Sequence, residues 1–586
     1  MNAFTPYNIF IPLQHSFKNK RGIKEMKRKK ILALCMVSIL SLSTVTLSGC
    51  KKSTPTDTVA VSSDSKEVSA KAPITISAFI ADTTAIVPTA DNKMFKKIKD
   101  ELGITFKIEI LAGDINQKLG VMIAGGDLPD LVSYNVKFQD AGDLIPLEDK
   151  LQKSAPAIYK HYIDGNAWGA MKDSNDQHTY YMPNYGINYT ETTGTDYGGP
   201  AFWIQKDVLK EANYPTVTTL DQYFDLIQAY VKKHPTVDGK PTIGYETLAT
   251  TQQSFVLENA PAQLSGHPND GMVNVDNGVA SLYTDKDISK TYYKKLNDMY
   301  NVGIVDRESI TQTKDQYLQK VASGRVVGMY DQHWDFSSAE ATLIKDAKDG
   351  LTYAPLALTY DGVKPHYKDA PVPNLINGFS ITKNCKDPDR VLTALNLLMT
   401  EEWQKTLNWG IEGEDYSIDA ASKQPVWSEQ QKANSQDNAW KAKNRADAIL
   451  GSLPKIEGLY SDGMATVLGD NSVQYTKGLT EYNKTFLKAY NAVSPYEMMG
   501  VAPKNEIYYP AWNINIPSST PASLAGTAIN NEMLKWLPRT IAAKPADFEK
   551  QWSDYVAAIS KTNSKAYIDA INEGIQYRIK NWTVKK

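Results

Sequence analysis

Cysteine and histidine are both scarce in this sequence: its 586 residues include three cysteines and seven histidines. Three cysteines allow at most one disulfide, which excludes a scaffold held together by several of them. The histidines are scattered, and no two stand at the spacing of a zinc or iron site. We therefore expect no metal site, and we expect a fold stabilised by its hydrophobic core.

Short catalytic motifs are also missing, including the Gly-x-Ser-x-Gly elbow, His-Glu-x-x-His, the Walker A loop and Gly-x-Gly-x-x-Gly. The run Asp173 to Asp176 is similar to the start of a calcium loop. However, His178 and Asn184 occupy the sixth and twelfth positions, where such a loop needs Gly and Glu. A solvated turn is the better interpretation, and we predict no catalytic residues.

Cys50 is the most informative residue that is present. It follows Ser48 and Gly49 at the end of an apolar run, Ile31 to Leu47, which is itself preceded by the basic cluster 27–30. This order is typical of a lipoprotein signal peptide that is cleaved before the cysteine, which then carries the lipid. We predict a signal peptide over 26–49 and lipid attachment at Cys50. Residues 1–25, before Met26, show no targeting signal, and we predict that they are an N-terminal extension.

Residues 50–72 contain no aromatic side chain and are rich in Lys, Ser, Thr and Asp, which predicts a flexible tether. The chain from residue 50 onwards has 56 basic and 65 acidic residues, so it is acidic by nine charges. A nucleic-acid partner needs a surplus of Lys and Arg to neutralise phosphates, and we expect none. The predicted location is the outer face of the cell membrane, where the lipid on Cys50 would hold the protein.

From Pro73 the pattern alternates short apolar strands with amphipathic helices. Ile74 to Ile80 and Ile104 to Leu111 alternate with period two, and a helical pattern lies between them. A further helix ends at Gly125-Gly126, before a strand that begins at Leu131. This order predicts an α/β lobe with a largely parallel sheet, and a body over 73–586 is long enough for two such lobes.

Later helices are marked by their first residues. Thr218 and Asp221 stand at the spacing of a capping box before an apolar stripe. Asp387 and Pro388 begin another stripe, which the pattern continues to Leu407 with Gly410 after it. Trp403 lies on that stripe and Trp552 on one near the C-terminus, so we predict that both are core residues.

The order of these segments resembles the extracellular solute-binding proteins of ABC importers, family 1, in the LplA-like lipoprotein branch that binds carbohydrate. The resemblance covers most of 73–586 and is carried by five segments: Gly125-Gly126-Asp127-Leu128-Pro129-Asp130, Tyr180-Tyr181-Met182-Pro183, Trp203-Ile204-Gln205-Lys206-Asp207-Val208-Leu209, Tyr293 to Glu308, and Trp409-Gly410-Ile411-Glu412-Gly413-Glu414-Asp415-Tyr416. Tyr181 stands where the family usually has Gly, Gln205 where it has Arg, and Val208 where it has Trp.

The resemblance implies a type II periplasmic-binding-protein fold, with two interleaved α/β lobes that close on a ligand and helical additions at the C-terminus. It also implies an oligosaccharide ligand, an ABC permease as partner, a monomer, no enzymatic activity and a Gram-positive bacterium as the source. Sugars present apolar C–H faces and rings of hydroxyls, so a sugar site needs aromatic plates and carboxylates or amides. All eleven tryptophans follow Cys50.

The candidate ligand-binding residues are aromatic or polar residues near predicted strand ends and motif turns: Asp127, Tyr134, Asn135, Trp203, Asp331, Trp334, Glu412 and Trp512. Two alternatives stay open. A lipid-anchored glycoside hydrolase would need two suitably spaced carboxylates, which 65 acidic residues could supply. A peptide-binding or sensor protein would keep the fold and change the ligand.

Overall fold

A computed structural model describes residues 73–582 except 83–84, 166, 174–175, 185–193, 196, 251–252, 370–374, 376, 502–508 and 518–519. The signal peptide, Cys50 and the tether lie outside the described residues. So do Ser174 and Asn175 of the acidic run.

Fifteen strands lie in the described residues: β1 Ile74–Ile80, β2 Ile104–Ile110, β3 Leu131–Ser133, β4 Met182–Pro183, β5 Pro200–Gln205, β6 Thr236–Val237, β7 Lys240–Pro241, β8 Ile243–Glu246, β9 Val273–Asp276, β10 Val279–Leu282, β11 Val326–Gln332, β12 Tyr353–Leu356, β13 Gly378–Ile381, β14 Ser417–Ile418 and β15 Pro425–Val426.

The α-helices of the same residues are α1 Lys93–Leu102, α2 Ile115–Gly125, α3 Val136–Asp140, α4 Glu148–Ser154, α5 Pro156–Asp164, α6 Lys206–Glu211, α7 Leu220–Lys233, α8 Ser254–Glu258, α9 Ala260–Leu264, α10 Asp287–Asn301, α11 Lys314–Ala322, α12 His333–Lys345, α13 Pro388–Leu398, α14 Glu401–Trp409, α15 Glu429–Gln436, α16 Asn438–Asn444, α17 Asp447–Leu450, α18 Ser472–Lys477, α19 Glu481–Ala489, α20 Pro495–Met498, α21 Pro521–Ala542, α22 Phe548–Ile559 and α23 Ser564–Trp582. None of these helices is long and apolar enough to cross a bilayer.

The first lobe is built on a five-stranded sheet in the order β2-β1-β3-β13-β4. β1 pairs in parallel with β2 and β3, as the sequence predicts. β13 arrives from far along the chain and pairs antiparallel with both β3 and β4. The helices α13 and α14 add Leu392, Leu395 and Trp403 to the core on one face of this sheet.

The second lobe is built on a four-stranded sheet in the order β12-β5-β11-β8. β11 is parallel to β8 and antiparallel to β5, and β12 is antiparallel to β5. The C-terminal helices pack here, because Ile529, Leu537 and Trp552 belong to the same buried cluster as Ile204 of β5. The two sheets confirm the predicted two-lobed α/β fold.

Three connections between the lobes can be followed from one described element to the next. The first connection joins β4 to β5, the second joins β12 to β13, and the third joins α18 to α19. The first connection is bonded to residues far along the chain: the amide and hydroxyl of Thr195 both donate to the carbonyl of Gly469, which precedes α18, at 3.0 and 2.9 Å. The hydroxyl of Tyr197 donates to the carbonyl of Tyr367 in the second.

Two local predictions were wrong by small margins. The capping box of α7 uses Thr219 and Gln222 rather than Thr218 and Asp221, because Thr219 is the last extended residue before the helix. The stripe that begins at Pro388 is two helices, because Thr400 caps the start of α14 with its own hydroxyl. Trp403 and Trp552 are buried core residues, as predicted.

Candidate ligand-binding cleft

The topology brings one edge of each sheet to the same place. The first connection leaves the end of β4, and the second leads into the start of β13. Both meet the sheet at the carboxyl end of β3, where the amide of Tyr134 donates to the carbonyl of Gly378. In the second sheet, β5 begins opposite Gln332 at the carboxyl end of β11, and β12 ends at that same edge. The first two connections, 184–199 and 357–377, therefore run between the carboxyl end of β3 and the carboxyl end of β11. Strand ends of α/β sheets are where ligands bind, and we take the region between these two strand ends as the candidate cleft.

On the first-lobe side, Tyr134 follows β3 and its ring is supported from two directions. The ring lies parallel to that of Tyr181, with centroids 3.9 Å apart and an angle of 8°. Its hydroxyl donates to Oε1 of Gln139 at 3.0 Å, and the amide of Gln139 donates to Asp173 at 2.9 Å. Burial, with smaller contributions from Asp173 and Asp140, raises the pKa of Tyr134 to about 12, which keeps this hydroxyl a donor at neutral pH.

Asn135 and Asp127 have more local surroundings. The side-chain oxygen of Asn135 accepts from the amide of Lys137 and so caps the short helix α3. Asp127 follows Gly126, the left-handed residue that ends α2, and its side chain is exposed. Both residues lie on loops of the first lobe. Asn135 directly follows Tyr134 in the chain and carries a side-chain amide.

On the second-lobe side, Trp334 lies in the first turn of α12, directly after β11. Its indole nitrogen donates to Oε1 of Gln332 at 2.7 Å, and its ring centroid is 5.4 Å from that of Phe255. Phe255 belongs to α8, which follows the parallel neighbour β8. The two aromatic rings thus belong to the helices that follow two adjacent parallel strands.

Trp203 and Asp331 lie beneath this edge rather than on it. The Trp203 ring is 2% exposed, stacks on His333 with centroids 5.1 Å apart, and its indole nitrogen donates to the carbonyl of Asp331 at 2.8 Å. The Asp331 carboxylate is fully buried and accepts from the hydroxyl of Tyr317 at 2.6 Å. Burial and the neighbouring Asp335 raise the pKa of Asp331 well above its ordinary value.

The two remaining candidates come from regions far along the chain. Glu412 is exposed in the turn after α14, where it forms an isolated bridge with Tyr416. Trp512 is 38% exposed and its Cβ lies close to Gly271 in the second lobe. Neither follows β3 or β11, so the topology of the sheets does not by itself place them at the cleft.

The described part of the acidic run is engaged within the protein. Asp176 accepts from the hydroxyl of Tyr180 at 2.6 Å and from the amide of His178 at 2.9 Å. Asp173 accepts from Gln139, as described above. Among the described residues, no group of three or more His, Cys, Asp or Glu side chains is placed to hold a metal ion.

The sequence prediction missed Tyr181, Phe255 and Gln139, which all contact the predicted aromatic residues. Tyr181 gave one signal, because it replaces a Gly in a motif that otherwise matches. Phe255 lies 79 positions before Trp334 in the chain, and only the parallel pairing of β8 with β11 brings the two together.

A two-lobed body with a cleft between strand ends and several chain connections defines a class of ligand-binding proteins. The model of the family described as bacterial extracellular solute-binding protein matches residues 93–410. The chain belongs to this family.

Individual relatives are more distant. The fructooligosaccharide ABC transporter substrate-binding protein FusA of Streptococcus pneumoniae is 21% identical over 257 residues, which is 41% of this chain and 47% of that protein. This chain therefore spans about half the length of that curated relative. The structure of FusA in complex with kestose aligns over 86% of this chain and 100% of its own, with 17% identity and a TM-score of 0.57.

A solute-binding protein of Bifidobacterium longum infantis that binds human milk oligosaccharides aligns over 87% of this chain and 99% of its own. The identity is 16% and the TM-score 0.60. At these identities the structural likenesses establish the two-lobed fold of solute-binding proteins.

Proposed function

We propose that this protein captures an oligosaccharide in the cleft between its lobes and delivers it to the membrane subunits of an ABC importer. The observation that carries this proposal is that an aromatic ring follows a strand end in each lobe, Tyr134 after β3 and Trp334 after β11. The family membership and the saccharide ligands of FusA and of the Bifidobacterium protein support it.

The chemistry of the two edges suits a sugar. Aromatic faces pack against the C–H faces of pyranose and furanose rings, and Asn135 beside Tyr134 offers an amide to hydroxyls. Gln332 beside Trp334 does the same on the second lobe. Trp203 and Asp331 are buried, so we assign them a supporting role beneath Trp334 instead of direct contact. Asp127, Glu412 and Trp512 are proposed as contacts at the rim of the cleft.

The proposed protein performs no covalent chemistry and acts as a monomer. Closure of the lobes would remove the saccharide from water, and the permease would recognise the closed form. Cys50 would carry the lipid that holds the protein on the outer face of the membrane. Replacement of Cys50 by Ala should release the protein into the medium, and mass spectrometry of the wild-type membrane fraction should find acyl groups on Cys50.

A ligand screen tests the proposal. The mature chain with Cys50→Ser would be heated with kestose, human milk oligosaccharides, alginate oligosaccharides, peptides and amino acids in separate samples. A ligand present at a hundred times its dissociation constant stabilises the folded state by about 2.7 kcal/mol and raises the melting temperature. We expect a shift with one saccharide class.

The recovered ligand separates the alternatives. Saccharide recovered intact supports a binding protein, whereas shortened products would favour a glycoside hydrolase. A shift with peptides alone would keep the fold and overturn the carbohydrate assignment.

A further inference from the structure

Two buried carboxyl groups lie beneath the turn 331–335, which joins β11 to α12 and carries Trp334. Asp331 is the next-to-last residue of β11 and is fully buried, and Asp335 lies in the first turn of α12 and is 9% exposed. Their side chains form a hydrogen bond with each other. A carboxylate only accepts hydrogen bonds, so one of the two carboxyl groups must carry a proton. The pair therefore holds a proton that ordinary aspartates have lost at neutral pH.

One positive charge faces this pair. The ammonium of Lys314, the first residue of α11, forms an ion pair with Asp335 and also donates to the main-chain carbonyl of Asp335 at 3.0 Å. Burial and the neighbouring Asp335 raise the pKa of Asp331 well above its ordinary value, and burial raises the pKa of Asp335 although Lys314 opposes this. With one proton the three groups carry no net charge. Without it, one buried negative charge is left unbalanced, which is costly.

The other ionisable groups on the neighbouring elements have partners of their own. On α11, the hydroxyl of Tyr317 donates to the first aspartate of the pair at 2.6 Å. On α12, Nε2 of His333 lies 2.8 Å from the carboxylate of Glu340. On β8, Glu246 faces the ammonium of Lys320 at 3.8 Å. β5 has no ionisable side chain. The charge balance of the pair is therefore set by its own proton and by the ammonium on the first residue of α11.

The same carboxyl groups support the ring of Trp334. Asp331 accepts from the main-chain amide of Gln332 at 2.7 Å. The side chain of Gln332 in turn accepts from the indole nitrogen of Trp334 at 2.7 Å, and Asp335 is the next residue after Trp334. An unbalanced charge beneath this turn would draw in water or displace the turn, and the indole would lose the plane that Gln332 fixes. The position of the Trp334 ring thus depends on groups whose charge depends on pH.

We propose that Asp331 is a positioning residue for Trp334, and that tight binding of the saccharide requires the proton that Asp331 shares with Asp335. This inference rests on the proposed function. Because the form with the proton binds more tightly, affinity falls as the pH rises and the pair loses its proton. By the same linkage, binding of the saccharide takes up protons in the pH range of that loss.

Two variants remove the titration. Asp331→Asn keeps the shape of the side chain and an oxygen that accepts from Gln332. Asp335→Asn is the second variant, in case the first does not fold, because Lys314 can then balance Asp331 without a proton. Glu258→Gln is the matched control: Glu258 is also a buried acid of the second lobe with a raised pKa, but its charge acts on Tyr283 and on the C-terminal helices.

The probe is kestose, or the first saccharide of the screen that binds if kestose does not. Calorimetric titrations between about pH 6 and pH 9 cover a range in which neither an ordinary aspartate nor an ordinary lysine titrates. We expect the affinity of the wild type to fall about three- to tenfold across this range, in line with the weakening of one stacking contact. Asp331→Asn should bind equally well throughout, and Glu258→Gln should follow the wild type.

Titrations in two buffers of different ionisation enthalpy measure the protons taken up on binding. The wild type should take up protons and Asp331→Asn should not. A pH dependence caused by His333 would remain in Asp331→Asn, so this variant separates the two sources.

A wild-type affinity that is constant over this range, or the same fall in Asp331→Asn as in the wild type, would overturn this inference and leave the proposed function intact. Weaker binding by Asp331→Asn with an unchanged pH dependence would assign the residue a structural role and would also overturn it. If the wild type binds no saccharide of the screen, the proposed function fails and this inference fails with it.

Discussion

The ammonium nitrogen of Lys368 lies 3.5 Å from the ring centroid of Tyr496. Lys368 belongs to the second connection and also donates to the carbonyl of Gly500 at 2.6 Å. Gly194 of the first connection faces the same ring, because a Cβ on Gly194 would lie 3.1 Å from it. Tyr496 follows the third connection in the chain and packs against residues of the first and second connections. We interpret Tyr496 as the pivot of lobe movement.

Substitutions at Tyr496 test this interpretation. Tyr496→Ala removes the surface on which Lys368 and Gly194 rest, and we expect a lower melting temperature, a larger radius of gyration without ligand and weaker saccharide binding. Tyr496→Phe keeps the ring and the cation–π contact, which is worth about 0.5–2 kcal/mol, so its radius of gyration and affinity should lie closer to those of the wild type than those of Tyr496→Ala do. X-ray scattering and calorimetric titration of both variants provide the measurement. Wild-type scattering from Tyr496→Ala would show that the pivot lies elsewhere.

Trp334→Ala should weaken saccharide binding by roughly tenfold or more, because a stacking surface in the cleft is lost. Trp536→Ala is the control. Both tryptophans are half-buried and both donate the indole nitrogen to a nearby side chain, Trp334 to Gln332 and Trp536 to Glu532. We therefore expect similar falls in melting temperature for the two variants. Calorimetric titration should find weaker saccharide binding for Trp334→Ala alone. Equal affinities would exclude Trp334 from the site.

Gly378 lies where the backbones of β13 and β4 approach too closely for a side chain. A Cβ there would stand 2.2 Å from the carbonyl oxygen of Met182. Gly378→Ala should displace β4 and the adjacent Tyr181, at a cost of about 1–3 kcal/mol in stability and with weaker saccharide binding.

Gly198, in the first connection, is the control, because a Cβ there would have no atom within 4 Å. Gly198→Ala should leave the stability and the saccharide affinity unchanged. Melting curves and titrations of the two alanine variants check the comparison. Gly378→Ala with the stability and affinity of Gly198→Ala would show that β4 can shift without cost.

The carboxyl group of Glu258 should make the second lobe less stable as pH rises. Its side chain is buried, Oε1 has no hydrogen-bond partner within the described structure, and burial raises its pKa to about 8. The folded state therefore holds a proton that the unfolded chain releases near pH 4.5. Between those two values the unfolded chain binds fewer protons, so stability falls as pH increases and is level above about pH 8.

Glu258→Gln removes this titration while keeping the shape of the side chain. The gain in stability over the wild type should be small at pH 4.5, grow with pH and reach a few kcal/mol near pH 8. Melting temperatures of the two proteins at several pH values provide the test. A constant difference across that range would mean that Glu258 is ionised in the folded state.

The sequence predicts much of the fold because the local signals agree. Ile74 to Ile80 alternates with period two and is the strand β1 with the same bounds. The cap of α7 was misplaced by one residue because Thr218 and Thr219 are both good capping residues, and each has an acid or amide three positions later. Helix α14 was missed because an apolar stripe does not show that Thr400 interrupts the backbone.

The sequence places two of the candidate residues after strands for a similar reason. Tyr134 and Trp334 come directly after apolar strands, and strand ends of an α/β sheet are where ligands bind. Trp203 looked equally suitable, but it lies within β5 in the middle of the second sheet and is buried there. Tyr181 could not be placed beside Tyr134 without knowing that β13 lies between β3 and β4.

The central claim is that a saccharide is held between the two lobes. X-ray scattering of the mature chain, with and without a saturating concentration of the saccharide found in the screen, tests it most directly. We predict a smaller radius of gyration with the ligand, and no such change for a protein that carries both Tyr134→Ala and Trp334→Ala at the same saccharide concentration. Binding without any change in radius of gyration, or unaltered closure in the double variant, would contradict the account.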